Sequence, residues 1–113
     1  HGPRAPAPGG LLPVTRGEFE QAAYLGEELA ALAARPGESA RARQLRQLLE
    51  EAQALPSRLP DPKARLVAQK VLEHGAPIPW KQIVAELGHR WTVGKARYAY
   101  ARVCALCFAG EET

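Results

Sequence analysis

Proline and glycine residues divide this chain of 113 residues into segments that are each about as long as one globular helix. The breaks fall at residues 36–37, 56–62, 75–79 and 88. Proline lacks a backbone donor and glycine is costly inside a helix, so helices tend to end at such positions. The chain is therefore predicted to form several short helices joined by turns.

The residues between these breaks favour helix over strand. Ala, Leu, Arg, Glu and Gln are frequent, whereas Ile, Val and Thr are scarce. Only 6% of the residues are aromatic, so the core must be built from aliphatic side chains. There is no apolar run long enough for a membrane span, no signal-peptide pattern, and too few cysteines for a disulfide framework. We expect a soluble, cytoplasmic, all-α protein.

The first part of the chain, residues 1–14, contains four prolines and three glycines. This composition predicts a flexible arm, with its last apolar residues, including Val14, packed on the domain. The chain begins His1-Gly2-Pro3 and has no Met, which is typical of a cleavage scar or of a domain cut from a longer chain.

Residues 15–57 are predicted to form a helical hairpin. A Thr-x-x-Glu capping box at Thr15 starts an amphipathic helix over 16–34, and Ser39 is the expected N-cap of a second helix over 40–55. A short Pro-Gly connection between two such helices implies an antiparallel pair. We expect this hairpin to pack on the rest of the chain or to mediate self-association.

Residues 58–113 are predicted to form a three-helix unit. Its helices cover 62–74, 80–87 and about 92–108. The first of these helices is expected to bury Leu66, Val67, Val71 and the stem of Lys70. Gly88 lies where the chain must reverse between the last two helices, and glycine adopts a positive φ at little cost. Two helices joined by such a short turn are typical of a helix-turn-helix, whose second helix enters the major groove of DNA.

The charge of the chain is concentrated in this second part. The whole chain carries a net charge of +3. Residues 58–102 contain nine basic and three acidic side chains, so this section carries +6 and the remainder −3. The asymmetry predicts an anion-binding surface in the C-terminal part.

The last helix has two different faces when its residues are placed at 100° intervals. One face is apolar and includes Tyr100 and both cysteines, Cys104 and Cys107, which we therefore interpret as core residues and not as a zinc or redox pair. The opposite face carries Lys95, Tyr98, Ala99 and Arg102. These residues suit DNA, although the solvated face of an ordinary amphipathic helix explains them equally well.

Four motifs together are similar to a known family. They are Leu59-Pro60-Asp61-Pro62-x-x-Arg65-Leu66-Val67, Val71-Leu72-Glu73, Pro79-Trp80-Lys81-x-Ile83-Val84-Ala85-x-Leu87-Gly88 and Thr92-Val93. Over residues 59–103 the chain resembles the helix-turn-helix of sigma-factor region 4 and of phage-type regulators. The resemblance implies a three-helix fold that binds duplex DNA.

The same resemblance implies a role for each residue of the candidate site. The residues expected near base edges are Arg90, Thr92, Lys95 and Ala99. The residues expected on phosphates are Lys81, Tyr98 and Arg102. Trp80 is interpreted as a core or hinge residue, whereas Trp91 either packs on the third helix or lies against the DNA backbone.

The sequence contains no motif for catalysis, for a metal or for another cofactor. We therefore expect a non-catalytic duplex DNA-binding protein, either a small transcriptional regulator or a phage-type DNA-recognition protein, with a homodimer or higher oligomer matching a repeated site. Two alternatives remain open. One is an adaptor that binds a host protein such as RNA polymerase, and the other is a DNA-packaging recognition subunit.

Overall fold

The structure is a computed structural model that describes residues 14–37 and 39–109, and it is all-helical over these residues. The helices are α1 (Arg16–Glu20), α2 (Ala22–Ala33), α3 (Ala40–Ala54), α4 (Pro62–His74), α5 (Trp80–Leu87) and α6 (Val93–Cys107), with a 3-10 turn at Pro56–Arg58 between α3 and α4. The predicted all-α class is confirmed. None of these helices has the length and apolar character that a membrane crossing requires. The predicted arm lies outside the described residues except for Val14, which is buried as expected.

Side-chain caps fix the helix starts where the sequence predicts them. The Thr15 hydroxyl accepts a hydrogen bond from the Glu18 amide (3.1 Å), and the Glu18 carboxylate accepts one from the Thr15 amide (3.0 Å), which completes the capping box. Ser39 and Asp61 cap α3 and α4 through their own side-chain oxygens. Each cap satisfies a backbone donor that the helix itself leaves unpaired, so the starts follow from local chemistry.

The prediction of one continuous helix over 16–34 is wrong, because the helix is interrupted at Gln21. The carbonyl of Glu20 accepts a hydrogen bond from the Ala76 amide (2.9 Å), in the turn between α4 and α5. Gly75 permits this approach, with a positive φ of 79° and the Glu20 oxygen 3.4 Å from where a Cβ would lie. The interruption thus attaches the hairpin to the three-helix unit.

A single hydrophobic core joins the hairpin to the three-helix unit. It contains side chains from nearly every helix, including Phe19, Leu49, Ala52, Val67, Val71, Ile83, Val103 and Phe108. The rings of Phe19 in α1 and Phe108 after α6 lie 6.0 Å apart, although the two residues are near opposite ends of the chain. The hairpin therefore packs on the three-helix unit, which is one of the two roles expected for it.

Three predictions about burial are wrong. Leu66, expected in the core, is 51% exposed because Ala64, Val67 and other neighbours form the inward side of α4. Cys107 is exposed whereas Cys104 is buried, since Phe108 fills the core at the end of α6. Ala99, expected on the exposed face of the last helix, is only 7% exposed because α4 packs against that side of α6.

A polar cluster inside this interface connects α1 to α6. The Tyr100 hydroxyl donates a 2.7 Å hydrogen bond to the Glu20 carboxylate, which also pairs with the Arg16 guanidinium at 2.9 Å. The Tyr100 ring lies under Arg16 and 5.8 Å from the Trp80 ring. Burial of the phenol, and then its bond to Glu20, raise the pKa of Tyr100 well above its ordinary value of 10.0.

We expect this tyrosine to make the folded state sensitive to alkaline pH. Above pH 10 the phenol of the unfolded chain loses its proton while Tyr100 in the folded chain keeps it, so the free energy of unfolding falls as the pH rises. Urea unfolding of the protein and of the Tyr100→Phe variant between pH 8 and pH 11 measures the effect. The variant should lose less stability over this interval. An identical loss in both proteins would contradict the role of Tyr100.

Replacing Gly88 by alanine is expected to lower the free energy of unfolding by about 1–3 kcal/mol, because its φ of 118° strains any residue with a Cβ. Gly26 in the interior of α2 provides the control. A Cβ there would meet no atom within 4 Å, so Gly26→Ala should stabilise the protein by about 0.5–1 kcal/mol. Denaturant titration compares the two variants. Equal changes in the free energy of unfolding for Gly88→Ala and Gly26→Ala would show that the positive φ of Gly88 is not what makes alanine costly there.

Candidate nucleic-acid interface

The turn between α5 and α6 is closed by its own backbone. The Gly88 amide donates to the carbonyl of Val84 (3.0 Å), and the Gly88 carbonyl accepts from the Trp91 amide (3.0 Å). The Thr92 hydroxyl then accepts from the Lys95 amide (3.1 Å) and caps α6. Gly88 thus reverses the chain at the predicted position, and these bonds fix the direction in which α6 leaves the turn.

The exposed side of α6 carries the side chains expected to face DNA. Lys95, Tyr98 and Arg102 are exposed, with Tyr98 68% accessible to solvent. Arg97 is exposed on the same helix and was not assigned a role from the sequence, although it belongs to the same basic section. The predicted face is therefore present, whereas Arg97 lies about 160° around the helix from Lys95 and does not line the groove described next.

An open groove of about 530 Å³ runs between the first half of α4 and the exposed side of α6. From the predicted site it is lined by Arg90, Lys95, Tyr98, Ala99 and Arg102. Four other residues complete the lining. Asp61, Lys63 and Leu66 come from the start of α4, and Trp91 comes from the turn before α6. The fold therefore brings five of the seven predicted residues into one concave surface.

The other two predicted residues, Lys81 and Thr92, do not line this groove. Lys81 is exposed in the first turn of α5. Thr92 is exposed, but its hydroxyl oxygen already accepts the Lys95 amide as the N-cap of α6. Thr92 therefore contributes first to the start of the helix, and its hydroxyl can still donate its proton to a phosphate.

The sequence did not predict that three apolar residues, Leu66, Trp91 and Ala99, would line one groove. Ala99 forms part of the floor of the groove instead of projecting from α6. Trp91 is half-buried and packs against the core while it also lines the groove. Leu66 fits the apolar period of α4, so the pattern gave no signal that its side chain stays outside the core.

Several cations elsewhere in the described chain are paired with carboxylates, unlike the cations of this surface. The carboxylates of Glu20, Glu28, Glu51 and Glu86 pair with the basic side chains of Arg16, Arg41, Arg58 and Lys70. Within residues 14–37 and 39–109, no carboxylate lies within ion-pair distance of Lys63, Lys81, Arg90, Lys95, Arg97 or Arg102. The surface around α6 therefore has a positive potential, which Asp61 at the groove offsets only in part.

The Lys95 side chain is held at one end of the groove. Its ammonium donates to the carbonyl of Arg90 at 3.0 Å, while its own amide donates to Thr92. Both bonds connect α6 to the turn before it. The positive charge of Lys95 is thus positioned but not neutralised, because its partner is a carbonyl and not a carboxylate.

A second cluster of charged side chains joins α4 to α5 away from the groove. The Glu86 carboxylate is 2.9 Å from the His74 Nε2 and 3.0 Å from the Lys70 ammonium, and these bonds lower the pKa of Glu86 to about 2. Glu73, His74 and Glu86 offer metal-ligand atoms within 4.8 Å of one another. Since Lys70 also lies 3.6 Å from Glu73, its ammonium already supplies the cation that these carboxylates attract.

Comparisons with known proteins identify no relative of this chain. No protein-family model matches it, and no curated protein or solved structure shows significant similarity to it. The resemblance to sigma-factor region 4 and to phage-type helix-turn-helix proteins stays a prediction from the sequence.

Proposed function

We propose that this protein binds duplex DNA without catalysing a reaction, with α6 in the major groove, as a small transcriptional regulator or a phage-type DNA-recognition protein. The observation that carries the proposal is the group of exposed cations around α6 that have no carboxylate partner in the described chain. Neutralisation of phosphates by such cations supplies most of the affinity of proteins for DNA.

The arrangement of α6 fits this use. Lys95 and Arg102 are two helical turns apart, about 10 Å along the axis, and Tyr98 lies between them. Lysine and arginine bind guanine edges or phosphates, and tyrosine donates hydrogen bonds to the sugar-phosphate backbone. Lys63 and Arg90 at the border of the groove, with Lys81 on α5, would extend the contacts to phosphates on either side of the major groove.

The first test is the salt dependence of binding to a labelled duplex of about 25 base pairs, measured by fluorescence anisotropy. If five or six cations contact phosphates, the logarithm of the affinity should fall linearly with the logarithm of salt concentration, with a slope of about −5. Absence of binding to mixed-sequence duplex DNA at about 50 mM salt would contradict the proposal.

Two copies of the chain would match a site made of two half-sites. Leu106 near the end of α6 is 59% exposed and is available for such a contact. Light scattering with and without duplex DNA would distinguish a monomer, a dimer and the ring expected of a packaging subunit.

A further inference from the structure

We infer that the groove between α4 and α6 also binds an acidic amphipathic helix of a partner protein, and that this partner excludes DNA from the same surface. The groove combines an apolar floor with a border of cations. DNA binding uses the border and Tyr98, whereas Leu66 and Trp91 are left without a function.

The floor of the groove is more apolar than a DNA-binding surface requires. Leu66 is 51% exposed and Tyr98 is 68% exposed, and the half-buried Trp91 lies in the same groove with Ala99. Exposed apolar side chains that are grouped together commonly mark a contact with another protein. The shape agrees, because a concave groove accepts the side chains that project from a partner helix.

The border of the groove determines the charge of the partner. It carries Lys63, Arg90, Lys95 and Arg102, and its one acid is Asp61. The Asp61 carboxylate accepts from the Lys63 amide at 3.3 Å as the cap of α4, and its single negative charge against four cations leaves the border with a net charge of +3. An acidic partner is therefore favoured over a neutral or basic one.

The spacing along α6 determines the pattern of the partner. Because Lys95 and Arg102 are seven residues apart, a helix lying along the groove would place acids about seven residues apart to meet both cations. Leucines of the partner helix that are three and four residues after the first acid would lie on the same face and would contact Leu66 and Tyr98. Such a helix and a DNA duplex would both need Lys95, Tyr98 and Arg102, so they cannot bind at the same time.

The test uses a fluorescein-labelled, helix-forming peptide of about 16 residues with this Leu and Glu pattern, and a scrambled peptide of the same composition. We expect the patterned peptide to bind at least about tenfold more tightly than the scrambled one, and to raise the apparent Kd of the duplex as its concentration increases.

Two matched variants locate the site. Leu66→Ser should weaken peptide binding by about tenfold or more, and should change duplex affinity less than about twofold. Tyr24→Ser, which alters an aromatic side chain of α2 that is 65% exposed and lies outside the groove, should change neither affinity. Circular dichroism confirms that both variants keep their helices.

Three results would overturn the inference: equal binding of the patterned and scrambled peptides, patterned binding that survives Leu66→Ser, or simultaneous binding of peptide and duplex. With any of these three results, the proposed function would still stand as long as the protein binds the DNA duplex. Conversely, peptide binding that depends on Leu66, in a protein that does not bind duplex DNA, would support the groove as a protein site and overturn the proposed function.

Discussion

Replacing Phe19 by alanine is expected to lower the free energy of unfolding of the whole chain by about 3–5 kcal/mol. Phe19 is fully buried although it belongs to α1, a helix of only five residues. Its ring contacts Phe108 at the other end of the described chain, in the core that α4 and α6 share. The substitution would therefore leave a cavity between the hairpin and the three-helix unit.

Urea unfolding monitored by tryptophan fluorescence measures this effect, because both tryptophans, Trp80 and Trp91, lie in the three-helix unit. Tyr24→Ala is the control in the same hairpin, since Tyr24 is 65% exposed and its loss should cost less than about 0.5 kcal/mol. If Phe19→Ala left the tryptophan transition unchanged, the hairpin and the unit would have to unfold independently, contrary to a shared core.

Replacing both Lys95 and Arg102 by glutamine is expected to weaken duplex binding by about 30- to 150-fold near 0.1 M salt, which corresponds to about 2–3 kcal/mol. Both side chains are exposed, and neither has a carboxylate partner within the described residues. The salt slope should also become shallower by about 2, because two fewer phosphates are neutralised. Anisotropy titrations at several salt concentrations measure both quantities.

The control for the double variant at Lys95 and Arg102 changes the net charge by the same amount outside the groove and α6. Arg35→Glu removes one positive charge and adds one negative charge, so the net charge also falls by two, but Arg35 lies in the connection between α2 and α3. We expect it to weaken binding by less than about threefold, because charges beyond a Debye length of about 10 Å are largely screened. A loss as large as that of Lys95→Gln with Arg102→Gln would show that net charge alone determines the affinity.

The helices were predictable because their signals are local. Proline and glycine breaks, and the side-chain caps at Thr15, Ser39 and Asp61, act over three or four residues, and α4 and α5 have the predicted bounds. The same holds for Gly88, where the local need for a positive φ selects glycine. The exposed face of α6 also follows from its own period.

The errors have a common origin in contacts between distant parts of the chain. The helix break at Gln21 depends on the hydrogen bond from the Ala76 amide to Glu20. Ala99 is buried because α4 packs against it, and Leu66 is exposed because its neighbours on α4 already fill the core. A hydrophobic period gives the average direction of a helix face, but the position of the partner helix decides which border residues are covered.

The sequence by itself determined the all-α class, the starts of the helices and the basic character of the C-terminal part, because propensity, capping and charge are properties of neighbouring residues. Tertiary structure decided that the hairpin and the three-helix unit share one core. It also decided that Leu66 and Trp91 join the basic residues of α6 in one groove. Those features depend on where α4 lies against α6, and that packing is fixed by side chains far apart in the chain.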